Sequence, residues 1–229
     1  MTQLLEILSN ISISPILPSQ YQAANAYTFR LTPPSDFNDI PSTDTKAMMK
    51  RTDDILTSHN AIWGIGTYAE QRSLYTHPQY EDSRNIHLGI DLCVPARTII
   101  NAPISGVIHS FANNTESGDY GPTLILQHDF RGVTFYTLYG HLSQRSLKQY
   151  KVGDTLHQGC SLGTVGSEKE NGEWPPHLHL QLINDIGAHQ GNYPGTCKLE
   201  EKDFYFSNCP DPTPLLQFEP ITKGTNKTK

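Results

Sequence analysis

The stretch WPPHLHLQL (residues 174–182) sets His177 and His179 two residues apart inside an apolar run. On a strand, residues i and i+2 point to the same face, roughly 6.6–6.8 Å apart along it. Two imidazoles projecting into an apolar layer are costly without partners. A metal ion with a bound water satisfies both, whereas the bland alternative is a solvated strand face carrying two surface histidines. A second candidate is HLGID, with His87 and Asp91 four apart. On a straight strand their Cα atoms would stand roughly 13 Å apart, too far for one ion whose bonds to its ligands are about 2 Å. Gly89 between them permits the bend that would bring them together. A third is YGHLS, where His141 follows the strand-like run GVTFYTLY and can reach over a neighbouring sheet face.

Together these stretches offer a histidine, an aspartate and a histidine as metal ligands. Three protein ligands with one open position mark a catalytic zinc site, since structural sites use four ligands and favour thiolate. Such an ion lowers the pKa of its water and polarises a carbonyl. The histidines at 59, 77, 109, 128, 157 and 189 lack a partner motif and are read as structural or exposed.

Positioning these residues falls to short strands, expected near 98–102, 106–111, 123–129, 132–139, 161–166 and 177–183. Several short strands separated by turns imply a mainly β fold, an antiparallel sheet, sandwich or barrel-like arrangement. KVGDTLHQGCSLG reads as two extended pieces around a turn. Residues 1–58 are poor in strand pattern, with LTPPSDFNDIPS as a connector and a short helix expected within DDILTSHNAIWG. After Ile183 the chain reads as loop. The expected organisation is an N-terminal extension (1–58), a β-domain (59–183, core 84–183) and a loop-rich C-terminal extension (184–229).

The 229 residues carry 17 Lys+Arg against 23 Asp+Glu, scattered along the chain. No basic patch argues for nucleic acid. No apolar stretch approaches the roughly 20 residues of a membrane span. The N-terminus fails as a secretory signal, because its first basic residue is Arg30 and Glu6 interrupts the apolar run, so a cytoplasmic location is expected. Four cysteines do not make a disulfide scaffold. Cys197 and Cys209 could pair in an oxidising compartment and are expected as free thiols in a reducing one.

HLGID, APISGVI, YGPTLILQHD, YGHLS, VGDTLHQGCSLGTVG and HLHLQL, in this order, resemble the lysostaphin-type zinc metallopeptidases, which include peptidoglycan endopeptidases. The core likeness runs from about Arg84 to Ile183. GTYAEQRSLYT and CPDPTPLL resemble further a subset in which this domain is joined to phosphotransferase-like and aminotransferase-like domains, extending the likeness to roughly 62–218. The resemblance implies a groove in an antiparallel sheet with Zn2+ on its floor, held by His87, Asp91 and His179. It implies catalytic roles for His141 and His177, neither of them a ligand, and a peptide or peptidoglycan-fragment substrate. This sequence departs from the family at SEKENGEWPP, where small residues are commoner; Trp174 is expected to reshape the groove mouth. Cys93 shares strand parity with Asp91 and is read as a packed thiol.

Two other classes compete. Two histidines and a carboxylate on β-structure also describe a non-haem iron oxygenase, which would have no use for His141 and the spare histidine of the pair. A metal-binding or regulatory module of the same fold, without catalysis, is the other. Residues 1–58, lacking a core of their own, are expected to fold over the groove and hold the enzyme latent.

Overall fold

The computed structural model describes residues 3–73, 75 and 84–217. Twelve strands are present among them: β1 (Ala26–Thr28), β2 (Trp63–Gly66), β3 (Ile86–His87), β4 (Ile90–Cys93), β5 (Ile99–Asn101), β6 (Gly106–Asn114), β7 (Gly121–Phe130), β8 (Val133–Gly140), β9 (Thr155–Leu156), β10 (Ser161–Thr164), β11 (Leu178–Ile183) and β12 (Thr196–Cys197). Four helices accompany them: α1 (Gln3–Ser9), α2 (Thr45–Ser58), α3 (Gln144–Leu147) and α4 (Lys202–Asn208). Eight strands form one sheet in the order β1-β2-β4-β11-β8-β7-β6-β9, and β10-β5 and β12-β3 form two small pairs. The fold is mainly β, as expected. Every pair in the large sheet is antiparallel except β1 with β2, so the sheet is mixed.

The long strands β6, β7 and β8 coincide closely with the expected runs, because alternation of β-branched and aromatic residues is a strong local signal. β1, β2, β3, β4 and β12 were not among the expected strands. The short helix expected within DDILTSHNAIWG is the C-terminal part of α2, which starts earlier, where Asp44 caps it by accepting from Ala47 N (3.0 Å), and ends at Ser58; the last two residues of that run, Trp63 and Gly64, begin β2. Beyond Ile183 the chain is less loop-like than its composition suggested, since β12 pairs with β3 and α4 follows.

One side of the large sheet is closed by apolar residues from distant segments. Leu4, Leu8, Ile16 and Leu17 join Ile90, Leu124, Leu178 and Leu215 in a single cluster. The N-terminal segment thus lends its apolar side chains to the main core. No helix among the described residues is long and apolar enough to cross a membrane.

His128 on β7 is 3% exposed and stacks on Phe135 at 4.9 Å. Its Nδ1–H donates to Ser105 O (2.8 Å), and its Nε2 accepts from the Thr137 hydroxyl (2.8 Å). Burial pushes its pKa down from 6.5 to about 4. The folded state therefore refuses a proton that the unfolded chain takes, and stability is lost as pH falls from 6.5 towards 4, by about 3 kcal/mol. His128→Gln should flatten the fall in melting temperature across that window; an unchanged profile would contradict this assignment.

Candidate metal centre and active site

The antiparallel register of β11 with β4 sets His179 directly opposite Asp91. His87 ends β3, the chain bends at Gly89, and β4 begins at Ile90. Gly89 matters for space as well as for the bend: a Cβ there would fall 2.6 Å from His179 Cε1 and 2.6 Å from Leu180 O. The His179 ring occupies the volume that any other residue at 89 would fill.

Three donor atoms converge as a result. His87 Nε2 and His179 Nδ1 are 3.0 Å apart, His87 Nε2 and Asp91 Oδ1 3.3 Å, and His179 Nδ1 and Asp91 Oδ1 3.2 Å. A tetrahedral ion with bonds of roughly 2.0–2.1 Å spaces its ligands roughly 3.3–3.4 Å apart, so this triangle matches one face of such a site. Among the described residues, His87, Asp91 and His179 are the cluster able to hold a metal ion, and all three are buried.

Hydrogen bonding on the far side of each ring fixes which nitrogen faces the triangle. His87 Nδ1–H donates to Thr67 O (3.1 Å), leaving a lone pair on Nε2. Gln181 donates its Nε2 to Pro194 O (3.0 Å) and Cys209 Sγ (3.3 Å), so its Oε1 accepts from His179 Nε2–H (2.9 Å) and the lone pair lies on Nδ1. Two imidazole lone pairs and a carboxylate oxygen thus face one another with no proton between them. Nor does His87 take one readily: burial, then the charge of Arg72, pushes its pKa down to about 4. A divalent cation satisfies all three donors at once. Outer hydrogen bonds of this kind are what orient metal-binding histidines.

Asp91 is divided between two partners. Its Oδ1 enters the triangle while Oδ2 accepts from Arg72 Nη1 at 2.6 Å. Arg72 is 3% exposed, also pairs with Glu70 (3.2 Å), and donates to Tyr75 Oη (2.9 Å). Burial alone would raise the Asp91 pKa, yet His87 and Arg72 hold it well below the usual carboxylate range.

His141 and His177 meet above this floor, with ring centroids 4.1 Å apart. His141 has φ 60°, a left-handed conformation uncommon for residues other than glycine, and such backbone is often found at functional sites. Hydrogen bonds hold it there: its N–H donates to Tyr120 O (2.8 Å), its carbonyl accepts from Gly166 N (2.8 Å), and its Nδ1–H donates to Asn171 O (2.8 Å). His177 Nδ1–H donates to Pro175 O (2.7 Å), and its Nε2 lies 3.9 Å from Asp91 Oδ1. Burial lowers both pKa values, His141 with a further push from His177, so both rings are neutral at pH 7 with Nε2 free of backbone.

All five residues singled out from the sequence share one cleft of about 340 Å³. Trp174 lines it too, buried, with Nε1–H donating to Gly118 O (3.0 Å). His189, read as structural or exposed, also lines the cleft; His77 lies outside the described residues. Cys93 sits on the cleft wall and does not join the donor triangle, and all four cysteines are free thiols. Reading by motif missed Arg72, Tyr120 and Gln181. Gln181 was accessible, since it shares strand parity with His179; Arg72, 19 residues before Asp91, carries no local signal.

The chain matches no curated protein sequence. Among solved structures it is similar to the catalytic domain of the antimicrobial peptidase lysostaphin from Staphylococcus simulans (24% identity, TM-score 0.39, covering 58% of this chain and 81% of that one). It is similar also to a prophage-encoded M23 protein of Enterococcus faecalis (22% identity, TM-score 0.39, covering 58% and 84%). A third is a zinc-containing peptidase from Vibrio cholerae (20% identity, TM-score 0.36, covering 46% of this chain and only 31% of that one). Residues 85–191, the stretch that carries His87, Asp91, His141, His177 and His179, match the model of Peptidase family M23.

Proposed function

We propose that the protein is a zinc-dependent peptide hydrolase. The observation that carries this reading is the triangle of three proton-free donors beneath two neutral imidazoles. His87 Nε2, Asp91 Oδ1 and His179 Nδ1 would hold the ion. Bound there, zinc supplies Lewis-acid chemistry, polarising a carbonyl and bringing the pKa of water towards neutrality.

The chain's own groups do the rest. Nε2 of one of His141 and His177 accepts the proton of the attacking water; a neutral imidazole suits that task near pH 7. The Asn171 and Pro175 carbonyls hold the opposite Nδ1–H of each ring, so the accepted proton sits on Nε2, facing the cleft, and from there passes to the leaving amine. Tyr120, whose hydroxyl is 3.5 Å from His179 Nε2, lines the same cleft and orients the bound peptide. The flanks' likeness to the multidomain subset supports a role as that subset's peptidase unit, acting on peptide or on peptidoglycan fragments.

Incubation of the zinc-loaded protein with muropeptides and a mixed peptide library, read by mass spectrometry, tests the reading. Cleavage should appear, stop with chelator and return with zinc. Stoichiometric zinc without cleavage of any peptide would leave only a metal-binding module.

A further inference from the structure

The cleft has a second wall, built by a part of the chain that lies outside residues 85–191. Phe29, Leu31, Phe37 and Met48 line the same space as Asp91 and His177. All four are 7% exposed or less, and with Trp174 they form one apolar cluster. The wall comes close to the donor triangle. A Cβ at Gly66 would lie 2.7 Å from Arg72 Nη2, 3.1 Å from Leu31 Cδ1 and 3.4 Å from Asp91 Cβ, so Leu31, Arg72 and Asp91 border the same glycine.

This wall is built into the fold. β1 adds to the sheet edge alongside β2, and Phe29 N continues the ladder to Ile65 O at 2.8 Å. The Phe29 ring fills the space over Gly64, where a Cβ would fall 2.1 Å from it. The Thr45 hydroxyl, in the first turn of α2, donates to Glu173 O, tying the wall to the loop that carries Trp174 and leads into His177. A segment so integrated is part of the cleft wall itself. The charged lining residues, the Arg72–Asp91 pair at the donor triangle and Arg84 and Asp119 beyond it, lie outside this apolar cluster, so the cleft has polar and apolar parts.

An apolar wall beside a reaction centre gains free energy when an apolar group displaces its water, and the few polar groups then fix orientation. We infer that the Phe29, Leu31, Phe37 and Met48 wall is a specificity subsite for a bulky aliphatic or aromatic side chain flanking the scissile bond. The preferred substrate is then a peptide with a large apolar residue there, rather than glycine or alanine. This inference rests on the metallopeptidase reading.

Amino-acid hydroxamates separate the two claims, because the hydroxamate grips the metal while the side chain samples the wall. Affinities of glycine, alanine, leucine and phenylalanine hydroxamates for the zinc-loaded full chain are measured by calorimetry. Leucine or phenylalanine hydroxamate should bind at least about tenfold more tightly than the glycine compound, the discrimination a hydrophobic pocket supplies. Met48→Gln should reduce that ratio at least about threefold. Equal affinities in the wild-type protein, which needs no variant to fold, would overturn the subsite and leave the metal reading standing. Failure of every hydroxamate to bind would overturn both.

Discussion

His141→Ala protein should carry one zinc per chain and hydrolyse peptide about 100- to 10,000-fold more slowly, the range removed with a positioned general acid–base. His179→Ala should instead lose the zinc and the activity together. The two residues are neighbours, with ring centroids 6.4 Å apart, so a general disturbance of the cleft would affect both variants alike. The distinction comes from their hydrogen bonds. His179 presents Nδ1 to the Asp91 oxygen at 3.2 Å, whereas His141 is held by Asn171 O and touches none of the three donors. Metal analysis beside single-turnover rates reads the split. Zinc loss in His141→Ala, or undiminished turnover in it, would contradict the division of roles.

Arg72→Met should lower the melting temperature of the zinc-free protein by about 6–20 °C. Removing one partner of a buried ion pair costs about 3–5 kcal/mol, and each kcal/mol shifts the midpoint of a chain this size by about 2–4 °C. Here the orphaned groups are Asp91 Oδ2, bonded to Arg72 at 2.6 Å, and Glu70, whose pKa burial already raises. Adding Glu70→Gln to the variant should recover part of the loss by removing one uncompensated carboxylate. Zinc should narrow the gap between wild type and variant, because a cation at Oδ1 compensates the same carboxylate. A variant melting with the wild type would show that the pair contributes nothing to stability.

The donors were legible because each lies in a short motif with its own geometry. His177 and His179 share a face by strand periodicity, and Gly89 announces the bend between His87 and Asp91. The same logic extended one residue pair further reaches Gln181, whose carbonyl sets the His179 tautomer. Arg72 was illegible for a different reason. A buried ion pair is made by tertiary approach, and nothing around Arg72 has a period that points it at Asp91. The N-terminal wall was hidden likewise: β1 is three residues long and joins β2 in parallel, 37 positions away by register. Its apolar residues look like a segment without a core because the core they complete belongs to the rest of the chain. The strands were readable from alternation, while α2 began ahead of the expected helix because its cap, Asp44, lies before the apolar pattern starts.

The proposed chemistry depends on one cation held by His87, Asp91 and His179. Diffraction data collected on either side of the zinc absorption edge, from crystals of protein purified without added metal, test it most directly. One anomalous peak is predicted per chain, about 2.0–2.1 Å from His87 Nε2, Asp91 Oδ1 and His179 Nδ1. A zinc-replete protein whose peak lies elsewhere, or whose three donors stand turned apart, would contradict the account.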